Sequence, residues 1–183
     1  IVSDRNLPDY VARGLELSQN AILINDPVDI SFYVVNEGFS LGSDGVEVKI
    51  YRSDDATIGA GDVLLSTQYT VNVLNIGDSA KIDLIYTPVD KVGNFYIIAN
   101  VNANGGKNEL LNINNTTQAL ALSVLPDYTA SASVSGDVFN GTTPITITGT
   151  TQTVVKSPAP NKPVDVYIVV NGAKRILNAV SDN

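Results

Sequence analysis

Four residue types are absent from this 183-residue chain: Cys, His, Met and Trp. Without Cys there can be no disulfide, no thiol nucleophile and no thiolate metal ligand. Without His the chain lacks the commonest general base, the commonest transition-metal ligand and any serine triad of the His type. Only carboxylates, Lys, Tyr and hydroxyl groups remain for chemistry. We therefore predict that this protein is not an enzyme.

Long apolar runs and excess positive charge are also missing. No stretch reaches the roughly 18 consecutive apolar residues that a membrane-spanning helix needs. Lys plus Arg number 11 and Asp plus Glu number 19, so the net charge is −8. Because an acidic surface repels nucleic acid and anionic lipid, we predict neither nucleic-acid binding nor direct membrane insertion. The sequence begins without Met and shows no signal peptide, which indicates a processed or excised piece of something longer.

What is present is alternation of apolar and polar residues at period two, with no run at the helical period. The residues predicted to point inward are Val28, Ile30, Phe32 and Val34; Val46, Val48 and Ile50; Ala80, Ile82, Leu84 and Tyr86; Phe95, Ile97, Ala99 and Val101; and Leu120, Leu122 and Val124. Val11, Leu15 and Leu17 supply an opening strand, and an intermediate hairpin arm runs from Leu64 to Val73. Seven short strands over about 115 residues are typical of an immunoglobulin-like sandwich.

A repeat divides the chain into modules. The tetrapeptide LPDY occurs at Leu7–Tyr10 and again at Leu125–Tyr128, 118 residues later. Alternating strands follow each copy, which indicates tandem β modules. We therefore predict an all-β protein of tandem immunoglobulin-like sandwiches. Residues 1–6 are a linker from a preceding segment, residues 7–125 form the first module, and residues 126–183 form a second module that is incomplete.

Several segments of the first module together form a recognisable pattern. They are LPDY with VARGLELS, then VDISFYVVNEG, VEVKIYRSDD, GDSAKIDLIYTP, NFYIIANVN and the final NELLNINNTTQALALSV. In these segments the first module resembles the CARDB family, the cell-adhesion-related domain found in bacteria and archaea. The family places a Glu and then paired Asn residues before its last strand. It implies a sandwich module of large secreted or surface-anchored proteins, and it carries no catalytic residues to transfer.

The segment NELLNINNTTQALALSV raises a choice between a ligand site and a structural loop. Glu109, Asn112, Asn114 and Asn115 lie in the predicted connection before the last strand. Side chains of Asn and Asp satisfy backbone groups locally and tolerate positive φ, which suits a long irregular connection. The pattern favours a structural loop over ligand contact.

A second candidate site is the Asp-rich loop RSDDATIGAGD. Asp54, Asp55 and Asp62 could supply carboxylates to calcium, which takes about six to eight oxygen ligands. The loop lacks the EF-hand spacing and its closing Glu, and a solvated loop between two strands explains it equally well. The sequence therefore establishes no cofactor, and calcium is the one candidate that it suggests.

The last module has four strand candidates where a sandwich normally has about seven. They are Tyr128–Ser135, Ile145–Thr153, Val164–Val170 and Lys174–Val180, and Asn171-Gly172 predicts a hairpin between the last two. Four strands leave apolar faces uncovered and edges unpaired. Two remedies are open: more chain beyond residue 183, or a strand donated by a neighbouring copy. A turn-like ending favours the first.

These features predict a non-catalytic, structural or adhesive extracellular module of a secreted prokaryotic cell-surface protein or of a surface filament. Its role is that of a spacer or protein–protein interaction unit, and its partners are neighbouring modules or copies of the same protein. The alternative is a carbohydrate-binding or accessory module of a secreted polysaccharide-degrading enzyme, which would place a surface glycan among the partners. That alternative is weakened by the absence of Trp, the usual sugar platform.

Overall fold

The computed structural model describes residues 6–70, 72–135, 141–142, 144–170 and 172–182. Every regular element in these residues is a β-strand. The chain divides into two compact units, with the boundary between Leu125 and Pro126. The all-β prediction is confirmed. The predicted linker at residues 1–6 falls almost wholly outside the described residues.

The first unit is a sandwich of two sheets. One sheet has the order β1-β3-β6 and the other the order β2-β8-β7-β4-β5. All neighbours are antiparallel except β2 and β8, which are parallel. The strand bounds are β1 Tyr10–Leu17, β2 Ala21–Leu23, β3 Val28–Asn36, β4 Glu47–Ser53, β5 Val63–Tyr69, β6 Ser79–Tyr86, β7 Gly93–Val101 and β8 Leu120–Leu125.

The core of this unit lies between the inner faces of the two sheets. The inward residues predicted for β3 and β7 are all buried, and those of β6 are buried or packed against the same core. On β8, Leu122 and Val124 are buried, whereas Leu120 is half-buried and lies outside the core cluster. Phe32 of one sheet and Phe95 of the other are 0% and 2% exposed. Truncating such a side chain to Ala typically costs about 3–5 kcal/mol, so these faces fix which side of each strand points inward.

Three details of the first unit differ from the sequence prediction. The pairing of β1 with β3 shifts between Arg13 and Glu16, where Gly14 has a φ of 61°. This bulge shifts the alternation, so Tyr10 and Ala12 belong to the core cluster that Leu15 and Leu17 pack against. Val11 is also buried, at 2% exposure, but is not part of that cluster. The predicted arm to Val73 is shorter, because β5 ends at Tyr69. The strand β2 was missed, since three residues are too few to show alternation.

The second unit contains two separate two-stranded antiparallel sheets. Their strands are β9 Tyr128–Val134, β10 Ile147–Thr153, β11 Pro163–Val170 and β12 Ala173–Val180. These match the four predicted strands to within two residues. The predicted Asn171-Gly172 turn lies partly outside the described residues, because Asn171 is not described. That this unit is immunoglobulin-like remains a prediction.

One buried cation stabilises the end of the first unit where β4 finishes. Arg52 is 5% exposed and donates two hydrogen bonds of 2.6 Å to the carboxylate of Asp90. It also donates to the hydroxyl of Tyr86 at 2.8 Å, and its guanidinium lies 4.7 Å from the centre of the Phe95 ring. The bidentate pair with Arg52 lowers the pKa of Asp90 from 3.8 to about 2. This contact ties the β6–β7 connection to β4.

Acid should therefore remove one measurable part of the stability of the first unit. Because the folded-state pKa of Asp90 is below its unfolded value, its contribution is complete above about pH 4 and is lost as the pH falls through about 2. The Asp90 side chain is 54% exposed, so we expect about 1 kcal/mol after screening by solvent. In urea denaturation at pH 6, the unfolding free energy of Asp90→Asn should be lower than that of the wild type by this amount. The difference between the two should shrink as the pH falls towards 2.

The matched control is Asp83→Asn, because Asp83 pairs with Lys81 at 2.7 Å on the open surface. We expect no resolvable change in its unfolding free energy. Equal loss in both variants, or a gap for Asp90→Asn that does not depend on pH, would contradict the assignment.

Candidate functional site in the connection between β7 and β8

A long irregular connection joins β7 to β8 and closes the end of the sandwich where β1 begins. It starts at Asn102, a buried residue with a φ of 49°. Left-handed backbone at a residue other than Gly is most common for Asn and Asp, whose side chains bond locally. Asn102 does so with Lys107, accepting from its N–H at 3.0 Å and donating to its carbonyl at 2.8 Å. The first turn of the connection is thereby closed.

Glu109 lies at the centre of the site. Its Oε1 accepts hydrogen bonds from the side-chain amides of Asn102 at 2.6 Å and Asn115 at 2.7 Å. Its Oε2 accepts from the backbone N–H of Tyr10, the first residue of β1, at 3.0 Å. One carboxylate therefore binds the end of β7, the approach to β8 and the start of β1. Three donors occupy its lone pairs, so it is placed to hold a loop and not to abstract a proton.

Asp9 makes the reciprocal contact from the other side. Its Oδ1 accepts from the backbone N–H of Leu111 at 3.0 Å, and its Oδ2 accepts from the side chain of Asn114 at 2.9 Å. A backbone bond from Leu110 to the carbonyl of Pro8 lies beside it at 2.9 Å. The segment that carries LPDY is thus bonded directly to the NELLNINN segment. The two motifs noted in the sequence, LPDY and NELLNINN, are therefore the two sides of one contact.

Two amide oxygens of this site have no hydrogen-bond partner within the described residues. They are Oδ1 of Asn114 and Oδ1 of Asn115, and both are buried. A polar pocket of about 470 Å³ adjoins Asn115 and Glu109 and is also lined by Asn100, Asn102 and Lys107. Buried acceptors without a protein partner are normally satisfied by ordered water. The pocket has the polarity and the room to hold such water.

The structure brings together Glu109, Asn114 and Asn115, as the paired-Asn pattern suggests. Asn112 is different, because its side chain is exposed and it lies at the edge of the polar pocket. Sequence reasoning missed Asp9 and Asn102. The signal for Asp9 was its place within the repeated LPDY, whereas the role of Asn102 depends on a backbone conformation that no sequence pattern marked.

The three carboxylates of the Asp-rich loop are used separately. Asp55 Oδ1 accepts from the N–H and the hydroxyl of Thr57, at 2.8 and 2.6 Å, and these bonds lower the pKa of Asp55. Asp62 accepts from the N–H of Gly59 at 2.7 Å, and Asp54 pairs with Lys91 at 3.2 Å. Throughout the described residues, no group of three or more Asp, Glu, His or Cys is arranged to hold a metal ion.

The second unit has a groove between its two hairpins. Its volume is about 440 Å³, and Ala130, Ala132, Val164, Val166 and Ala179 are among the residues that line it. Polar side chains line it as well, among them Ser131, Thr150 and Gln152. Among the described residues, Asp182 is the one titratable side chain that lines the groove.

The fold of the first unit is that of solved CARDB domains. The crystal structure of a CARDB domain from Pyrococcus furiosus, in complex with di-metal ions, is 18% identical, with a TM-score of 0.54 over 68% of this chain and 99% of that domain. A solution structure of the same domain is 21% identical, with a TM-score of 0.52 over 66% of this chain and 97% of that one. At these identities the likeness shows the fold alone, and at that level the resemblance predicted from the sequence is confirmed.

No family model matches the sequence, and no curated protein matches it. Over the described part of the chain, no helix has the length and apolar character to cross a membrane.

Glu109 gives a direct test of the structural role of this connection. Glu109→Gln keeps the shape but turns one acceptor into a donor that faces the donors of Asn102, Asn115 or Tyr10. Leaving buried donors unpaired should lower the unfolding free energy of the first unit by about 2–3 kcal/mol, measured by urea denaturation. Asn112→Ala is the control on the same loop, with an expected change within about 0.5 kcal/mol. Equal effects would show that Glu109 does not hold the loop.

Proposed function

We propose that this chain is a non-catalytic structural module of a prokaryotic cell-surface protein, and that it joins or spaces other modules through β-sheet contacts. The observation that carries this proposal is the exposure of the apolar side chains in the second unit. Among its described residues, Ala159 is the only buried hydrophobic one, at 3% exposure. Val155, Val169 and Val180 are 77%, 67% and 67% exposed. Exposed apolar surface of this kind marks sites of protein association.

The hairpins of the second unit also need support from outside themselves. An isolated two-stranded sheet is marginally stable in water, and stability normally requires at least three strands or packing against another layer. Here two such sheets share one groove, and most side chains on β9, β10 and β12 are exposed. Contact with another β segment supplies the missing burial. The contact that would stabilise this unit is therefore the same β-sheet contact that we propose as the function of the protein.

Placement at the cell surface rests on two kinds of support. The first unit has the CARDB fold, which the family resemblance links to large secreted or surface-anchored proteins. The composition agrees, since the chain has no Cys or Met that oxidation outside the cell could damage. A spacer of such a protein needs a stable sandwich and exposed contact surfaces, and the chain provides both.

The surface placement has a simple test on intact cells that make the protein. A membrane-impermeant amine reagent should label lysines of this segment, because Lys81 and Lys91 are 50% and 56% exposed. Mass spectrometry of the labelled peptides is the measurement, with lysed cells as the positive control and an abundant cytoplasmic protein as the negative one. Labelling only after lysis would overturn the surface role. Saturable binding on a glycan array would favour the carbohydrate module instead.

Calcium binding at Asp54, Asp55 and Asp62 remains a prediction of the sequence, and the loop geometry weighs against it. The Pyrococcus domain was solved with di-metal ions, which makes a test on this chain worthwhile. In the structure, however, each of the three carboxylates already has its own partner within the chain. A chelating loop would direct several oxygens at one point.

We therefore expect neither EDTA nor millimolar calcium to change the melting temperature of the first unit. Ligand binding to the folded state alone would raise it by mass action. Differential scanning calorimetry with and without added calcium is the measurement. A calcium-dependent rise that disappears in Asp62→Asn would establish the site and contradict this expectation.

A further inference from the structure

The polar pocket beside Glu109 is lined mainly by side chains that form hydrogen bonds. Its two charged residues, Lys107 and Glu109, have opposite signs, so their formal charges cancel. An amide offers both donors and acceptors, whereas a carboxylate only accepts and an ammonium only donates. The amide side chains that line the pocket are those of Asn100, Asn102, Asn108, Asn112 and Asn115. The lining therefore suits a neutral ligand that both donates and accepts hydrogen bonds.

Part of this lining has no partner within the residues that the structure describes. Asn115 is 4% exposed, and its Nδ2 is held by Glu109 at 2.7 Å, while its Oδ1 accepts no hydrogen bond. Asn108 and Asn112 are exposed, and their side-chain amides bond to no other described residue. A buried acceptor that the chain holds in place but leaves open is a position for water or for a ligand group that replaces it. The pocket thus combines one fixed acceptor with free amides around it.

The pocket adjoins the outer face of the five-stranded sheet, which is the face turned away from the core. Tyr96, Ile98 and Asn100 share this face of β7, because alternate side chains of a strand point the same way and the residues between them are in the core. On β4, Tyr51 is opposite Ile98 and Lys49 is opposite Asn100. Both tyrosines are half-buried, so packing holds them while part of each stays accessible. Four residues of β7 span about 13 Å, so this aromatic surface lies close to the pocket.

The pairing of β7 favours a sugar over a peptide as the ligand. Peptides are commonly recognised by adding a strand to an open sheet edge. Beside the pocket, however, the backbone is already bonded, because Val101 donates to the carbonyl of Asn115 at 2.9 Å and Asn102 donates to that of Glu47 at 2.7 Å. A sugar needs no free backbone, since each of its hydroxyl groups both donates and accepts, and its ring packs on aromatic side chains.

The charge of the first unit decides between neutral and acidic sugars. Up to Leu125 the chain has seven Lys plus Arg and 15 Asp plus Glu, so this unit has a net charge of −8. Such a surface repels anionic polysaccharides. Because the formal charges that line the pocket cancel, nothing in the lining offsets this repulsion. A neutral sugar is therefore the favoured ligand.

We propose that the first unit binds a neutral polysaccharide through this pocket and the adjoining tyrosines. One sugar residue occupies the pocket, where a hydroxyl donates to Oδ1 of Asn115 and other hydroxyls bond to the amides of Asn108 and Asn112. The neighbouring sugar residues extend over Tyr51 and Tyr96. The pocket volume of about 470 Å³ lies within the range of about 300–1,000 Å³ that is usual for small-molecule sites. The module then holds a glycan as well as spacing its neighbours, which goes beyond the structural role proposed above.

The first test is an array of immobilised oligosaccharides that carries neutral hexoses and N-acetylhexosamines together with uronic acids. The intact chain should bind neutral members of the array saturably. Its affinity should change by less than about twofold between low and high salt, because no pair of opposite charges forms on binding. Binding restricted to uronic acids, or no binding at all, would overturn the proposal.

A double substitution separates the pocket from the rest of the surface. Asn108→Ala combined with Asn112→Ala removes two exposed amides that hold no other part of the described chain, so the fold should be unchanged. Isothermal titration calorimetry with a neutral hexasaccharide from the array should show an affinity about thirtyfold weaker, because two hydrogen bonds are lost. The matched control is Gln118→Ala, an exposed amide of the same connection that does not line the pocket. It should leave the affinity unchanged.

Nuclear magnetic resonance gives a second readout on the wild-type chain. The same hexasaccharide should shift the side-chain amide signal of Asn115 and the ring signals of Tyr51 and Tyr96, but not those of Tyr33 on the other sheet. Affinity that survives the double substitution, or shifts at Tyr33 in place of Asn115, would overturn the pocket. Array binding without labelling of intact cells would retain the pocket and replace the surface role. Labelling without array binding would retain the surface role and overturn the pocket.

Discussion

Strands that alternate apolar and polar residues have one apolar face. Exposure of that face to water is unfavourable, so a second layer must cover it. The first unit meets this need with two sheets, so that Phe32, Ile50 and Phe95 are almost wholly buried. The second unit meets it only in part, because its two hairpins share a groove and leave residues such as Val169 in solvent. The first unit therefore has a complete pair of layers and the second an incomplete one, and this difference is the reason that we propose the second unit as a contact surface.

The polar contacts of the first unit show how a sandwich closes its ends. At one end Arg52 is buried and paired with Asp90, and at the other the carboxylate of Glu109 accepts three hydrogen bonds. Both are charges close to an apolar core, and both are stable there because several donors or acceptors surround them. In an unknown protein, a Glu beside several Asn residues invites a catalytic or metal-binding interpretation. Here the bonds are directed at backbone and amide groups of the chain itself, which is the geometry of a structural loop.

Sequence reasoning predicted the inward face of a strand correctly where several residues show the same alternation. It failed where the conformation of a single residue changes that face. The alternation of β3 and β7 involves four inward residues each, and the structure has them as predicted. Gly14 alone changes the alternation of β1, because a bulge adds one residue to one strand and shifts everything before it. In the candidate site, paired Asn residues were a visible signal. Asp9, however, lies about a hundred positions from its partners, and no local pattern could have linked them.

The sequence by itself determined the class of fold and the inward faces of the strands with the longest alternation, such as β3 and β7. Both depend on the order of apolar and polar residues along the chain. Tertiary structure decided which distant polar groups meet, which carboxylates share a site and which strand edges stay open. Those outcomes depend on sheet order and register, and these are settled by the packing of whole faces against each other, which no short stretch of residues contains.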